Sequence, residues 1–196
     1  MEKAKEIVDM LTRGGSIDSI NTPLALGILP LVESIGDVEL LNRLVEHAQT
    51  AAKDDVERGW ARFEHLKRNS GSIDEFAELA FESESLENGA PLAAALLHHH
   101  GLMLLSLDEN EAAQTSVRRS LTLRESIEDK EGMIYGLAVL SHCARIAQDW
   151  DTAILHDTRR LELAIVLEKD VLRMEALADM AHAQASLGEL GTASEM

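Results

Sequence analysis

Apolar residues recur along this chain at intervals of three and four, the spacing that places them on one face of a helix. No segment alternates apolar and polar residues for long enough to form a strand. The pattern predicts ten helices and a short final stub that begins at residue 190. The predicted helices span residues 2–12, 22–35, 37–50, 54–69, 72–87, 91–107, 109–128, 131–147, 150–168 and 171–187.

An internal repeat organises the second half of the chain, where Ala113, Ala153 and Ala193 recur at a spacing of 40 residues. A small residue lies twelve positions before each alanine, and a leucine lies sixteen positions before it. The small residues are Gly101, Ser141 and Ala181, and the leucines are Leu97, Leu137 and Leu177. Small residues allow two helices to approach closely, so the repeat predicts paired helices with equivalent contacts.

The first half of the chain follows the same pattern less regularly. When Phe76 takes the place of the repeated alanine, Phe63 and Trp60 fall thirteen and sixteen residues before it. A further unit is expected upstream, where one helix begins at Thr22 and where Pro30 should kink that helix. No long linker interrupts the chain, so residues 1–196 are interpreted as a single repeat domain.

The repeated units resemble tetratricopeptide repeats in a long form of about 40 residues. The resemblance covers residues 55–196 well and residues 22–54 loosely. The residues that carry it are Trp60, Phe63, Leu97, Gly101, Ala113, Leu137, Leu140, Trp150, Ala153, Leu177, Ala181, Gly188 and Ala193. It implies an all-α fold, a right-handed superhelical α-solenoid of antiparallel helix pairs that binds a peptide or a protein on its concave face. Other α-solenoids and helical bundles are the alternative.

Charge narrows the expected partners. The chain has 18 Lys and Arg against 35 Asp and Glu, which gives a net charge of −17. Such a surface repels phosphate backbones and anionic lipids, so neither nucleic acid nor a membrane is an expected partner. The sequence near Met1 lacks the apolar run of a signal peptide, and the single Cys143 has no internal disulfide partner. A cytoplasmic location is therefore expected.

Several repeat positions are expected to face the binding groove, and they are rich in histidine and arginine. These candidate groove residues are Arg58, Arg62, His65, Arg68, His98, His99, Tyr135, His142, Arg145 and His182. An acidic exterior with a basic inner face would recognise a carboxylate, so an acidic segment of another protein is one expected partner. Chance enrichment of a tolerated polar residue is the alternative.

Catalytic and metal-binding patterns are weak in this sequence. His98, His99 and His100 are consecutive, and consecutive helical residues point in different directions, so the three cannot ligate one ion. Cys143 is expected to be packed and structural rather than nucleophilic. The consecutive arginines Arg118 with Arg119 and Arg159 with Arg160, on the second helices, are expected to be exposed and paired with nearby acids. We expect no enzyme activity, no cofactor and no metal.

The favoured function is a scaffold or adaptor that binds another protein or a peptide. A regulatory or sensory input module of a larger protein, and an assembly unit that stacks end to end, are the alternatives. The last unit stops soon after Ala193, which leaves the apolar residues Leu177, Met180 and Leu187 without a covering helix. A longer parent protein or a homodimer through this open end would explain that exposure.

Overall fold

The computed structural model describes the backbone of residues 2–194 and the side chains of residues 2–188. Within those residues the chain is entirely helical and has no strand. It contains eleven helices: α1 Glu2–Thr12, α2 Thr22–Gly27, α3 Leu29–Ile35, α4 Val38–Ala51, α5 Asp55–Arg68, α6 Ile73–Glu84, α7 Ala90–Ser106, α8 Asn110–Ser126, α9 Lys130–Ile146, α10 Trp150–Val166 and α11 Asp170–Ser194.

The chain divides into two compact units, residues 1–92 (unit 1) and residues 93–196 (unit 2). In unit 1, α4 packs against α2, α3 and α5, and α5 packs against α6. The core of unit 1 includes Leu11, Ile28, Leu29 and Leu44, each at most 2% exposed. Apolar burial of this kind is the main term that stabilises helices too short to be stable alone.

Side-chain caps fix the starts of the helices in unit 1. The Asp37 carboxylate accepts the backbone N–H of Leu40 at 2.9 Å, and the Asp54 carboxylate accepts that of Glu57 at 2.8 Å. Ser72 and Glu75 form a reciprocal capping box at the start of α6. Each cap satisfies a backbone donor that the first helical turn leaves without a partner.

Unit 2 confirms the expected equivalence for two of the three repeated alanines. Ala113 and Ala153 are both fully buried. A Cβ placed on Gly101 would lie 3.2 Å from the carbonyl oxygen of Ala113, and the Ser141 hydroxyl oxygen lies 3.2 Å from the carbonyl oxygen of Ala153. The small residue on one helix therefore faces the alanine on the next helix in both pairs. The side chain of Ala193 lies outside the described residues.

A regular turn geometry accompanies the repeat. Five residues other than glycine have positive φ at intervals of 20 residues: Asn88, Asp108, Glu128, Gln148 and Glu168. Four of them lie two residues past the end of a helix, whereas Asn88 lies in the longer turn after α6; in every case the next helix begins two residues later. In this part of the chain each helix with its turn therefore occupies 20 residues.

Two predicted helix boundaries are wrong. The segment 22–35 is not one kinked helix but α2 and α3, which meet at Ile28 with φ −94° and ψ −8°. Pro30 has no N–H to continue the hydrogen-bond ladder, and it lies in the first turn of α3, where none is needed.

The predicted turn at residues 188–190 is also wrong, because α11 is one helix from Asp170 to Ser194. Ala193 therefore opens no second helix. Each glycine costs a helix only about 1 kcal/mol relative to alanine, and Gly188 and Gly191 lie among good helix formers such as Leu187, Glu189 and Leu190.

Candidate functional site

The first cleft lies between α5 and α6 of unit 1, and two of the candidate groove residues line it. It has a volume of 220 Å³. Arg62 forms an ion pair with Glu82 at 3.4 Å, and Arg58 forms one with Asp55. Both arginine side chains are more than 40% exposed, so water screens these pairs and they contribute little. A carboxylate ligand could therefore compete for either guanidinium. We call this the arginine cleft.

Two more candidates, His65 and Arg68, lie toward the end of α5. Arg68 is paired with Glu64 on its own helix and with Glu33 of α3, and its side chain is only 13% exposed. The ion pair of Arg68 with Glu33 links α5 to α3, so this arginine has a structural role. A ring nitrogen of His65 lies 3.2 Å from the amide nitrogen of Asn69. The groove role of both residues stays a prediction.

In unit 2, His98 and His99 are only partly buried on α7. Nδ1 of His98 is buried and has no hydrogen-bond partner within the described residues. Desolvation lowers the pKa of His98 to about 4, and the charges of Arg124 and His99 act in the same direction. His98 is therefore neutral at pH 7, and it is suited to packing rather than to binding an anion.

Three further candidates of unit 2 are exposed, as expected for residues that contact a ligand. Tyr135 is 45% exposed, and His142 and His182 also lie at the surface. The ring of His182 stands edge-on to Trp150, with 6.0 Å between the ring centroids. Among the described residues, no contact joins these three side chains at a common site. Their shared role in binding a ligand in the groove therefore also stays a prediction.

Arg145 belongs to a buried polar network that joins α9, α10 and α11. It donates to the Asp157 carboxylate at 3.1 Å and to the Ser141 hydroxyl at 2.8 Å, and it lies 3.6 Å from Asp179. Asp157 is fully buried, and burial raises the pKa of its carboxyl group, although the Ser141 hydroxyl and Arg145 act in the opposite direction. The network therefore links three helices.

Arg160 is a second cation in this network, and the expectation that it is exposed is wrong. Only 5% of its side chain is exposed. It donates to Asp179 at 2.7 Å and to Glu175 at 2.9 Å, and it lies 3.6 Å from Asp157. Arg159, its neighbour in sequence, is exposed and pairs with Glu125 at 2.6 Å. Consecutive helical residues point about 100° apart, so one of two adjacent arginines can be buried while the other is exposed. Their adjacency in the sequence does not indicate which one is buried.

A larger cleft in unit 1 was not predicted. It has a volume of 510 Å³ and lies between α2 and α5. We call it the Trp60 cleft; its walls are Thr22, Pro23, Leu26, Gly27, Val56, Glu57, Trp60 and Glu64. Trp60 is only partly buried there, and an indole in an open cleft offers a large apolar contact surface. The feature of the sequence that could have indicated this cleft is Trp60, the single tryptophan of α5, a helix otherwise rich in charged residues.

The last helix presents a row of exposed apolar side chains. Val171, Met174 and Leu177 are 70%, 68% and 47% exposed, and we call these three residues the α11 face. Leu97 and Leu137, which match Leu177 in the repeat, are 5% and 1% exposed because a following helix covers them. The predicted exposure of Leu177 at this end of the chain is therefore confirmed.

Comparison with known proteins does not extend this description. No protein-family model matches the chain, and a search of curated proteins finds no match. None of the helices in the described residues is long and apolar enough to cross a membrane. Within the same residues, no group of three or more His, Cys, Asp or Glu side chains is placed to hold a metal ion.

Proposed function

We propose that this chain is a binding protein that holds a segment of another protein on its helices. The observation that carries the proposal is the Trp60 cleft, an open space of 510 Å³ whose walls are mainly apolar. A cleft of this size accommodates one or two side chains of a partner, and clefts with apolar walls and few polar groups are typical binding sites. A protein with this role would act as a scaffold or an adaptor.

The fold proposal that accompanies this function is a tetratricopeptide-like, right-handed α-solenoid. Its support is the 20-residue interval of the left-handed turns and the matched contacts of Ala113 and Ala153. Repeated helix pairs of this kind form extended binding surfaces in solenoid proteins.

A direct test is capture of the partner by the purified chain from an extract of its own source, with chemical cross-linking and identification by mass spectrometry. The captured protein is then purified and its affinity measured by calorimetry. We expect saturable one-to-one binding with a Kd in the micromolar range or below. If no protein that binds in the purified system emerges, the proposed function is wrong.

An acidic segment at the arginine cleft is the second candidate interaction. It is favoured by Arg58 and Arg62, whose exposed guanidinium groups have only screened partners. Binding there should weaken as salt rises, because the contact is electrostatic. The double variant Arg58→Ala with Arg62→Ala should abolish it, and an affinity unchanged by that variant would remove this candidate.

Self-association through the α11 face is the third candidate. Large exposed apolar patches on a protein usually mark contacts, and Val171, Met174 and Leu177 form such a row. This candidate would make the chain a homodimer, or an assembly unit, in addition to any binding role. Its test concerns the oligomeric state and is given in the Discussion.

A further inference from the structure

The Trp60 cleft lies beside a second cleft that has a different character. That second cleft has a volume of 410 Å³ and shares Val56 and Glu57 with the Trp60 cleft. We call it the acidic cleft; its walls are Asp54, Asp55, Val56, Glu57, Leu86, Glu87 and Asn88. It therefore has four carboxylates in its walls and no lysine or arginine.

The charges around the two clefts are distributed unequally. At the far end of the Trp60 cleft, Glu64 is paired with Lys67 at 3.1 Å and with Arg68, so its charge is neutralised. At the shared end, the Glu57 carboxylate accepts only the uncharged backbone N–H of Lys53, at 2.9 Å. The negative potential is therefore concentrated where the two clefts meet.

Two cations near this junction, Lys53 and Arg58, oppose the trend without cancelling it. Arg58 forms an ion pair with Asp55, and Arg58 lines the arginine cleft rather than the acidic cleft. Asp54 is the helix cap of α5, and its carboxylate accepts the uncharged backbone N–H of Glu57. Asp54, Glu57 and Glu87 thus remain as carboxylates without a cationic partner in the walls of the acidic cleft.

We propose that these two clefts bind one protein segment in which an apolar side chain neighbours lysine or arginine. The apolar side chain fills the Trp60 cleft against Pro23, Leu26 and Trp60. The basic side chains lie over the acidic cleft near Glu57 and Glu87. The inference rests on the proposed function, and it specifies the chemistry of the partner. Charge complementarity favours this segment over an acidic one at this site.

Gly27 provides a way to block the site without disturbing the core. It is the last residue of α2, and a Cβ placed on it would meet no atom within 4 Å. Gly27 also lines the Trp60 cleft, so Gly27→Leu places a side chain into the open space. Leucine is a better helix former than glycine, so the fold should not weaken.

The test uses the tryptophan of the site as its reporter. The chain has two tryptophans, so Trp150→Phe leaves Trp60 as the single tryptophan, which can be excited separately from Tyr135. Three acetylated and amidated peptides are titrated into this variant: Leu-Phe-Gly-Lys-Arg-Lys, Leu-Phe-Gly-Glu-Glu-Glu and Gly-Gly-Gly-Lys-Arg-Lys. The first tests the proposed chemistry, the second reverses the charge, and the third lacks the apolar side chains.

We expect only the first peptide to change the Trp60 emission with saturation, at an affinity at least about tenfold higher than that of the other two. Gly27→Leu should remove this binding. Glu57→Gln with Glu87→Gln should weaken it about 3- to 10-fold at low salt and reduce its salt dependence. Glutamine at position 57 still accepts the Lys53 N–H, so the local fold is kept.

The matched control is Glu39→Gln with Glu46→Gln, which removes two exposed charges from α4 and should leave the affinity unchanged. Equal binding of the first and third peptides would show non-specific attraction to an acidic protein and would overturn the inference. Equal or tighter binding of the acidic peptide, or binding that persists in Gly27→Leu, would overturn it as well.

The same variants separate this inference from the proposed function. If a natural partner is captured and its affinity ignores Gly27→Leu and the double glutamine variant, the chain is a binding protein and the site assigned here is wrong. If the basic peptide binds as expected but no natural partner can be found, the site stands and the proposed function is wrong.

Discussion

At the scale of single residues, the buried carboxylate of Asp157 has the largest expected effect on stability. It accepts hydrogen bonds from Ser141 and Arg145 and is fully buried. Its removal leaves Arg145 and Arg160 in a low-dielectric environment with one partner fewer. Asp157→Ala should lower the free energy of unfolding by about 3 kcal/mol.

Urea denaturation of the wild type and the variant measures this effect. Glu162→Ala is the control, because Glu162 is an exposed carboxylate on the same helix, and it should change the free energy of unfolding by less than about 0.5 kcal/mol. If both substitutions cost the same, the network contributes nothing specific to unit 2.

The buried imidazole of His98 makes stability depend on pH. Its pKa falls from 6.5 to about 4 on folding, so the unfolded chain binds the proton more strongly. The contribution is fully present above pH 6.5 and is lost as the pH falls toward 4. Between pH 7 and pH 5 the loss should be about 2 kcal/mol.

The urea midpoint of the wild type should therefore fall when the pH is lowered from 7 to 5. In the His98→Gln variant we expect this fall to be smaller. His142→Gln replaces an exposed histidine of α9 and should behave like the wild type. An identical pH dependence for all three proteins would contradict the burial of a neutral His98.

At the scale of helices, the matched alanines test whether the repeat sets the packing. Ala113 and Ala153 are fully buried at their helix crossings. Ala113→Leu and Ala153→Leu should each lower the free energy of unfolding by about 1–3 kcal/mol, because neither crossing has room for a larger side chain. Ala112→Leu is the control, since Ala112 is exposed beside Ala113. The midpoint of thermal unfolding is measured for all three variants. A loss of stability in the two buried variants but not in Ala112→Leu is due to overpacking rather than to helix propensity.

The start of α8 lacks a cap that two equivalent helices have. Asp129 and Asp149 accept the N–H of Gly132 at 2.9 Å and of Thr152 at 3.1 Å, whereas Glu109 makes no such bond. The backbone angles are alike, with φ between −74° and −86° at all three positions. The shorter aspartate should therefore reach the donor.

Glu109→Asp should raise the free energy of unfolding by about 0.5–1 kcal/mol, and Asp149→Ala should lower it by about 1 kcal/mol. Both changes are measured by urea denaturation at pH 7. A Glu109→Asp variant no more stable than the wild type would show that the first turn of α8 is satisfied in another way.

At the scale of the whole molecule, the α11 face concerns the oligomeric state. If two copies associate through it, sedimentation should show a dimer whose population rises with concentration. Met174→Glu should shift the protein to the monomer, because a charge would then be buried in the contact. Leu155→Glu is the control: Leu155 is 67% exposed on α10 and Met174 is 68% exposed. A wild type that stays monomeric up to about 100 µM, a range in which weak specific contacts would form, would remove this candidate.

The sequence alone determined the all-helical class, the boundaries of most helices and the burial of Ala113 and Ala153. These features depend on helix propensity and on apolar residues spaced three and four apart. Both are properties of residues close together in the sequence. It also predicted the exposed Leu177. The break at Ile28 was anticipated only as a kink. The continuity of α11 was missed, because Gly188 and Gly191 weigh little against a long run of good helix formers.

Only the tertiary structure decided which charged residues are free to bind and where the open clefts lie. Arg68, Arg145 and Arg160 look like surface cations in the sequence, but carboxylates from other helices hold them. The Trp60 cleft joins residues that are more than 30 positions apart, from Thr22 to Glu64. Periodicity identifies the face of a helix on which a residue lies. It does not identify the helix that packs against that face, because that choice depends on contacts between residues distant in the sequence.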